Sequence, residues 1–157
     1  MGERRKAREC ALQILFQLEF NAGDQPALIR AYWQRQKASK PVREYGAWLV
    51  QKILENGAAI DDAIQAASKN WRLARMAVVD RNILRIAVCE LLYEPALVPA
   101  IVMNEAIEIA KRFSGEESAV FVNGVLDAVV RRLGAAAAPA GEPDNKEGEH
   151  EPKERAR

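Results

Sequence analysis

Val79-Asp-Arg-Asn-Ile-Leu-Arg-Ile-Ala-Val-Cys-Glu-Leu-Leu-Tyr93 is the stretch on which the fold turns. Ile83, Leu84, Ile86, Ala87, Leu91 and Leu92 recur at helical rather than strand spacing and cover much of the girth of a helix. A helix that is apolar on so many sides belongs in the middle of other helices. The flanking segments therefore need to supply helical partners, and they do.

On the C-terminal side, Pro95 and Pro99 bracket a loop. A helix is expected from Asn104 to Phe113, with asparagine as N-cap and Glu105 complementing the helix dipole. Ser114-Gly115 ends it. A last helix over residues 117–133 places Val122, Val125, Leu126, Val129 and Leu133 in one stripe, with Gly134 as terminator. Inside that helix Asn123-Gly124 calls for compensation, since glycine costs about 1 kcal/mol against alanine there; close packing on another helix is the expected reason, with direct contact between its backbone and a ligand as the alternative. Residues 135–157, rich in alanine, proline, glycine and mixed charges, read as a disordered polar tail beyond a domain spanning 1–134.

On the N-terminal side, residues 69–77 form a basic, tryptophan-containing connector or short helix. Before it, Ile60, Ala63, Ile64 and Ala67 mark one helix, and Asn56-Gly57 separates it from another carrying Val42, Tyr45, Leu49 and Ile53. A helix from Pro26 to Gln36 suits proline in its first turn. The first helix, residues 4–20, aligns Ala7, Cys10, Ala11, Ile14 and Leu18 on one arc and leaves Arg4, Arg5 and Arg8 outside it. No segment alternates as a strand. The fold class is all-α.

Composition narrows the function classes. The 157 residues suit one domain with a real core. No run of apolar residues is long enough to span a membrane, and the charged N-terminus lacks a secretory pattern, so a cytoplasmic location is expected. Cys10 and Cys89 sit in apolar helical stretches and read as buried free thiols. The sole histidine, His150, lies in the polar tail, which removes most histidine-based catalysis and metal binding. No phosphate-binding glycine loop or metal-ligand cluster occurs, and Asp61-Asp62 would point about a hundred degrees apart on a helix. No enzyme, cofactor or metal is expected. The net charge is +1, but the tail carries six acidic and four basic residues, leaving a small positive surplus on the body.

Four collinear segments resemble the NusB family of transcription antitermination factors. They are Arg4-Arg-Lys-Ala-Arg-Glu-Cys-Ala-Leu-Gln13, the 79–92 stretch quoted above, Asn104-Glu-Ala-Ile-Glu-Ile-Ala-Lys111 and Phe121-Val-Asn-Gly-Val-Leu-Asp127. The resemblance covers residues 3–133. It implies about seven helices in two packed helical subdomains forming one compact domain. It also implies binding of the boxA element of nascent ribosomal RNA together with NusE, a small-subunit ribosomal protein, in an antitermination complex with RNA polymerase. A homodimer formed through the RNA-binding surface is a further partner the resemblance allows.

Arg4, Arg5, Lys6 and Arg8 concentrate positive charge in little more than one turn, at the helix end whose free N–H groups are already positive. That arrangement suits RNA phosphates, on the expectation that all four face outward; a solvated basic face is the plain alternative. Single-stranded RNA also needs flat surfaces for its bases. Phe16 shares a line with Arg5, about 16 Å further along the helix, and core packing is its alternative role. By resemblance, Glu117, Phe121 and Asn123 lie near the RNA-facing end, while Asp80 and Arg81 contact NusE. Asp80 also reads as an acid favouring its own helix dipole. Arg72, Arg75, Arg81 and Arg85 form either a second basic surface or a solvated face. Two other readings stand beside the RNA adaptor: a helical scaffold that binds protein alone, and an accessory domain of an RNA methyltransferase.

Overall fold

The computed structural model describes residues 2–137. Seven α-helices follow in order: α1 (Glu3–Glu19), α2 (Gln25–Arg35), α3 (Lys40–Glu55), α4 (Gly57–Ala67), α5 (Val78–Tyr93), α6 (Pro99–Phe113) and α7 (Glu116–Ala137). A short 3₁₀ turn, Leu73–Arg75, lies between α4 and α5. No strand occurs among the described residues, as the periodicity predicts.

Local chemistry sets most of the boundaries. Asp24 caps α2 by accepting from the Ala27 amide, and Ser39 caps α3 by accepting from the Val42 amide. Prolines occupy the first turns of α2, α3 and α6, where no amide hydrogen is needed. Gly115 stops α6 at φ +125°, a conformation that side chains disfavour, and its amide donates back to the Ala110 carbonyl.

Two expected boundaries are corrected. The sixth helix begins at Pro99, so Asn104 is an interior residue and not an N-cap, and Glu105 sits mid-helix, away from the N-terminal dipole. Pro99, expected to close a loop, instead opens the helix. The last helix also runs through Gly134 to Ala137, so Gly134 does not terminate it. The expected disordered tail falls from residue 138 onward outside the described residues.

The helix from the opening stretch occupies the centre. α5 touches α1, α3, α4, α6 and α7. α1 and α3 pack on each other as well as on α5, with α2 against α1, while α7 packs on both α4 and α6. Ile14 of α1, Leu49 of α3, Ile60 and Ile64 of α4, Leu84 and Val88 of α5, Val102 of α6 and Val122 and Leu126 of α7 are all fully buried in one continuous core. Each such side chain stabilises the fold by about 1.5–3 kcal/mol over its exposed state. α1 and α3 approach closely at Gly46, where an added Cβ would lie 2.8 Å from the Trp33 ring and 3.3 Å from the Ala7 carbonyl oxygen. Cys10 and Cys89 are buried free thiols. Among the described residues, no helix is long and apolar enough to cross a membrane.

Candidate nucleic-acid interface

The first turns of α1 carry the cations, and the fold treats them differently. Arg4 is exposed; its guanidinium lies 3.8 Å over the Tyr45 ring and 3.9 Å from a Glu94 oxygen. Arg5 is half-buried and forks onto Glu105 at 2.8 and 2.9 Å through Nη2 and Nε, with Nη1 outside the fork. The Glu105 hydrogen bonds raise the Arg5 pKa, and Arg5 in turn holds the Glu105 carboxyl below the usual carboxylate range. Lys6 is half-buried, with no carboxylate within 4 Å among the described residues.

Arg8 corrects the expectation of four outward cations. It is 3 % exposed, donates to Glu90 at 2.8 Å and lies 3.3 Å from Glu105. The reason is rotational. Arg8 follows Arg4 by one turn toward the side where α1 meets α5, and there Glu90 is itself 1 % exposed and needs a cation. Tyr45 donates to the same carboxylate; burial, and then the charge of Glu90, push its phenol pKa up. The outward set at this end is Arg4, Arg5 and Lys6. No side chain caps α1, so its free N–H groups add to their field.

Further along α1, Phe16 lies at the surface and not in the core, 39 % exposed and packed at a tilt of 57° against Phe20, with centroids 5.0 Å apart. With Leu12, Gln13, Val79 and Phe113 it lines an open apolar groove of about 290 Å³. Sequence reasoning missed Phe113 as part of this surface; its position as the last residue of α6, next to the glycine turn, was the available signal.

On α7, Glu117, Val120, Phe121 and Gly124 fall on one face at helical spacing. Glu117 and Val120 are exposed, and Phe121 is half-buried. Asn123 is exposed, about a hundred degrees round from Gly124. The expectation that Gly124 packs against another helix is corrected: an added Cβ there would meet nothing within 4 Å. Its bare backbone faces a second groove of about 270 Å³, which Trp71 and Lys69 line from the other wall.

Asp80 and Arg81, expected to contact a partner protein, are engaged internally. Asp80 is 8 % exposed and accepts from the Ser114 and Ser118 hydroxyls, tying the start of α5 to the start of α7. Arg81 forks onto Glu19 at 2.8 and 3.1 Å and donates to the Met76 carbonyl. Asn82 and Arg85 also donate to Glu19, and Arg85 pairs with Asp61. The hydrogen bonds from Arg81 hold the Glu19 carboxyl at about 2, despite its partial burial. The expected basic surface of Arg72, Arg75, Arg81 and Arg85 therefore divides: the last two brace the core, and the first two stay exposed.

The family model described as the NusB family matches residues 5–131. The chain belongs to the NusB family. The transcription antitermination protein NusB of Sorangium cellulosum (strain So ce56) is 44 % identical over 134 residues, covering 85 % of this chain and 96 % of that one. Among solved structures, NusB of T. maritima superimposes with a TM-score of 0.74 at 37 % identity, covering 82 % of this chain and 90 % of that one. A crystal structure of antitermination factors NusB and NusE in complex with dsRNA contains a chain that matches with a TM-score of 0.73 at 26 % identity, covering 84 % and 98 % of the two chains. The NusB fold is thus shared over nearly the full length of these relatives.

Burial pushes the Cys89 thiol up to about 12. Among the described residues, no three His, Cys, Asp or Glu side chains gather as a metal cage.

Proposed function

We propose that this protein is an RNA-binding transcription antitermination adaptor that engages boxA of nascent ribosomal RNA together with NusE and assists RNA polymerase through terminators. It acts in the cytoplasm and by binding, not by catalysis. Membership of the NusB family across residues 5–131 carries the reading, since the relatives bear the name transcription antitermination protein. The surface supports it. Arg4, Arg5 and Lys6 offer phosphate contacts, while Phe16 and Phe121 offer rings and Glu117 and Asn123 offer polar groups for base edges. Arg8 positions this surface from inside by holding Glu90 and Glu105. The NusE contact is placed at the start of α5, where Asp80 is held by two serine hydroxyls and Arg81 by Glu19.

The deciding experiment is a titration of boxA-containing single-stranded RNA, with and without NusE, at two salt concentrations. Binding that strengthens with NusE and weakens when Arg4 and Arg5 are replaced by alanine is the expected result. No binding to RNA, with NusE still bound, would assign the protein to protein contacts alone.

A further inference from the structure

The connector between α4 and the 3₁₀ turn holds Trp71 in an unusual way. Its side chain is 60 % exposed, so the indole makes little use of the core. Its backbone is nevertheless fastened. Gln65 donates to the Ser68 and Trp71 carbonyls and accepts from the Leu73 amide, and the Ser68 hydroxyl reaches the Trp71 carbonyl as well. A wet aromatic ring on a braced segment is pre-organised, which lowers the ordering cost of whatever settles on it.

The surroundings fit one kind of occupant. The Phe121 ring stands at 84° to the indole with centroids 6.1 Å apart, so the two form a corner. Val120, 72 % exposed, and the bare backbone at Gly124 complete an open groove beside it. Lys69 lines the same groove, and Arg72 and Arg75 follow on the connector. All three are exposed, with no carboxylate within 4 Å among the described residues. An aromatic corner with unpaired cations alongside matches a flat base attached to a phosphate, and Glu117 on the same α7 face can accept from a base amino group. A purely apolar protein segment would leave those cations unanswered.

We propose that Trp71 and Phe121 form a stacking subsite for an unstacked base of single-stranded RNA, with Lys69 and Arg72 contacting its phosphates. The subsite rests on the RNA-binding reading above and extends that surface from α7 to the connector.

The test uses the full chain and boxA-containing RNA in which a fluorescent purine analogue replaces each nucleotide in turn, flanking positions included. Trp71→Ala is expected to weaken binding about tenfold, and Trp71→Phe to recover most of the loss. One labelled position should lose its quenching in Trp71→Ala and keep it in the wild type. Gly124→Leu, placed where nothing crowds a side chain, provides a second route: it fills the groove and should weaken binding with a melting temperature no lower than that of the wild type. Wild-type binding with Trp71→Ala and Gly124→Leu equal to it, and quenching unaltered, overturns the subsite and leaves the parent reading standing. Loss of NusE binding by Trp71→Ala in the absence of RNA, with RNA affinity intact, would assign the groove to protein and also overturn it. A wild type that binds no RNA overturns both readings.

Discussion

Arg8 Nε lies 2.8 Å from a Glu90 carboxylate oxygen, and both side chains are almost wholly withdrawn from water. The pair joins α1 to the central helix α5, with Tyr45 of α3 donating to the same carboxylate. Three helices are thus registered through one buried acid. Breaking such a pair from one side leaves an uncompensated charge, which costs more than the intact pair contributes. Arg8→Ala is expected to destabilise the fold by about 3–5 kcal/mol in urea unfolding. The double variant Arg8→Met/Glu90→Gln, which removes both charges, should recover a substantial part. A double variant as unstable as the single one would show that the penalty is not the stranded carboxylate.

Glu19 governs a second prediction. Its carboxyl is held at about 2 by Arg81, with Asn82 and Arg85 assisting, against an ordinary value of 4.5. A depressed carboxyl pKa means the folded state favours the ionised form. The stabilisation is complete above pH 4.5 and is lost as pH falls from there toward 2. Glu19→Gln should therefore melt below the wild type at neutral pH, and the gap should narrow across that window. A gap that stays constant from pH 7 to pH 2 would sink the assignment.

Two glycines make opposite predictions for the same substitution. At Gly124 an added methyl meets nothing, so Gly124→Ala should stabilise by about 0.5–1 kcal/mol through helix propensity. At Gly46 the methyl would press on the Trp33 ring at 2.8 Å and the Ala7 carbonyl, so Gly46→Ala should destabilise. Thermal melts of the two variants, side by side, check both. Gly124→Ala melting lower than the wild type would mean that its backbone is engaged with something in the folded protein.

The order and identity of the helices were legible because apolar periodicity is a local property. α5 as the central element followed from Ile83, Leu84, Ile86, Leu91 and Leu92 alone. Pairing was not legible. Glu90 sits in an apolar stretch, and an acid there signals a buried cation partner without naming it; only the crossing of α1 and α5 selects Arg8 over Arg4. Similarly, Glu105 looked like a first-turn acid because the apolar residues from Pro99 onward read as loop, and so its role as the Arg5 fork was hidden. Asp80 met its two serines through the turn between α6 and α7, a geometry no spacing rule contains. Trp71 was visible as a residue in a basic connector, but not its exposure or its meeting with Phe121, 50 positions away.

The withdrawal of Arg8 into the core changes what RNA binding should look like in salt. Each phosphate contact to a single strand contributes a slope of about −0.7 in log K against log salt. Arg4, Arg5 and Lys6 together would supply about −2, so that a fourfold rise in salt weakens their share of binding about twentyfold. Arg5 can contribute without releasing Glu105, because its Nη1 points away from the fork. Replacing all three by alanine should flatten the slope by about 2. By contrast, Arg8→Met/Glu90→Gln, measured where it is folded, should leave the slope alone, since a side chain paired inside the protein releases no counterions when RNA arrives. If that double variant flattens the slope by a full contact, Arg8 must leave Glu90 to reach the RNA, and α1 must shift on binding.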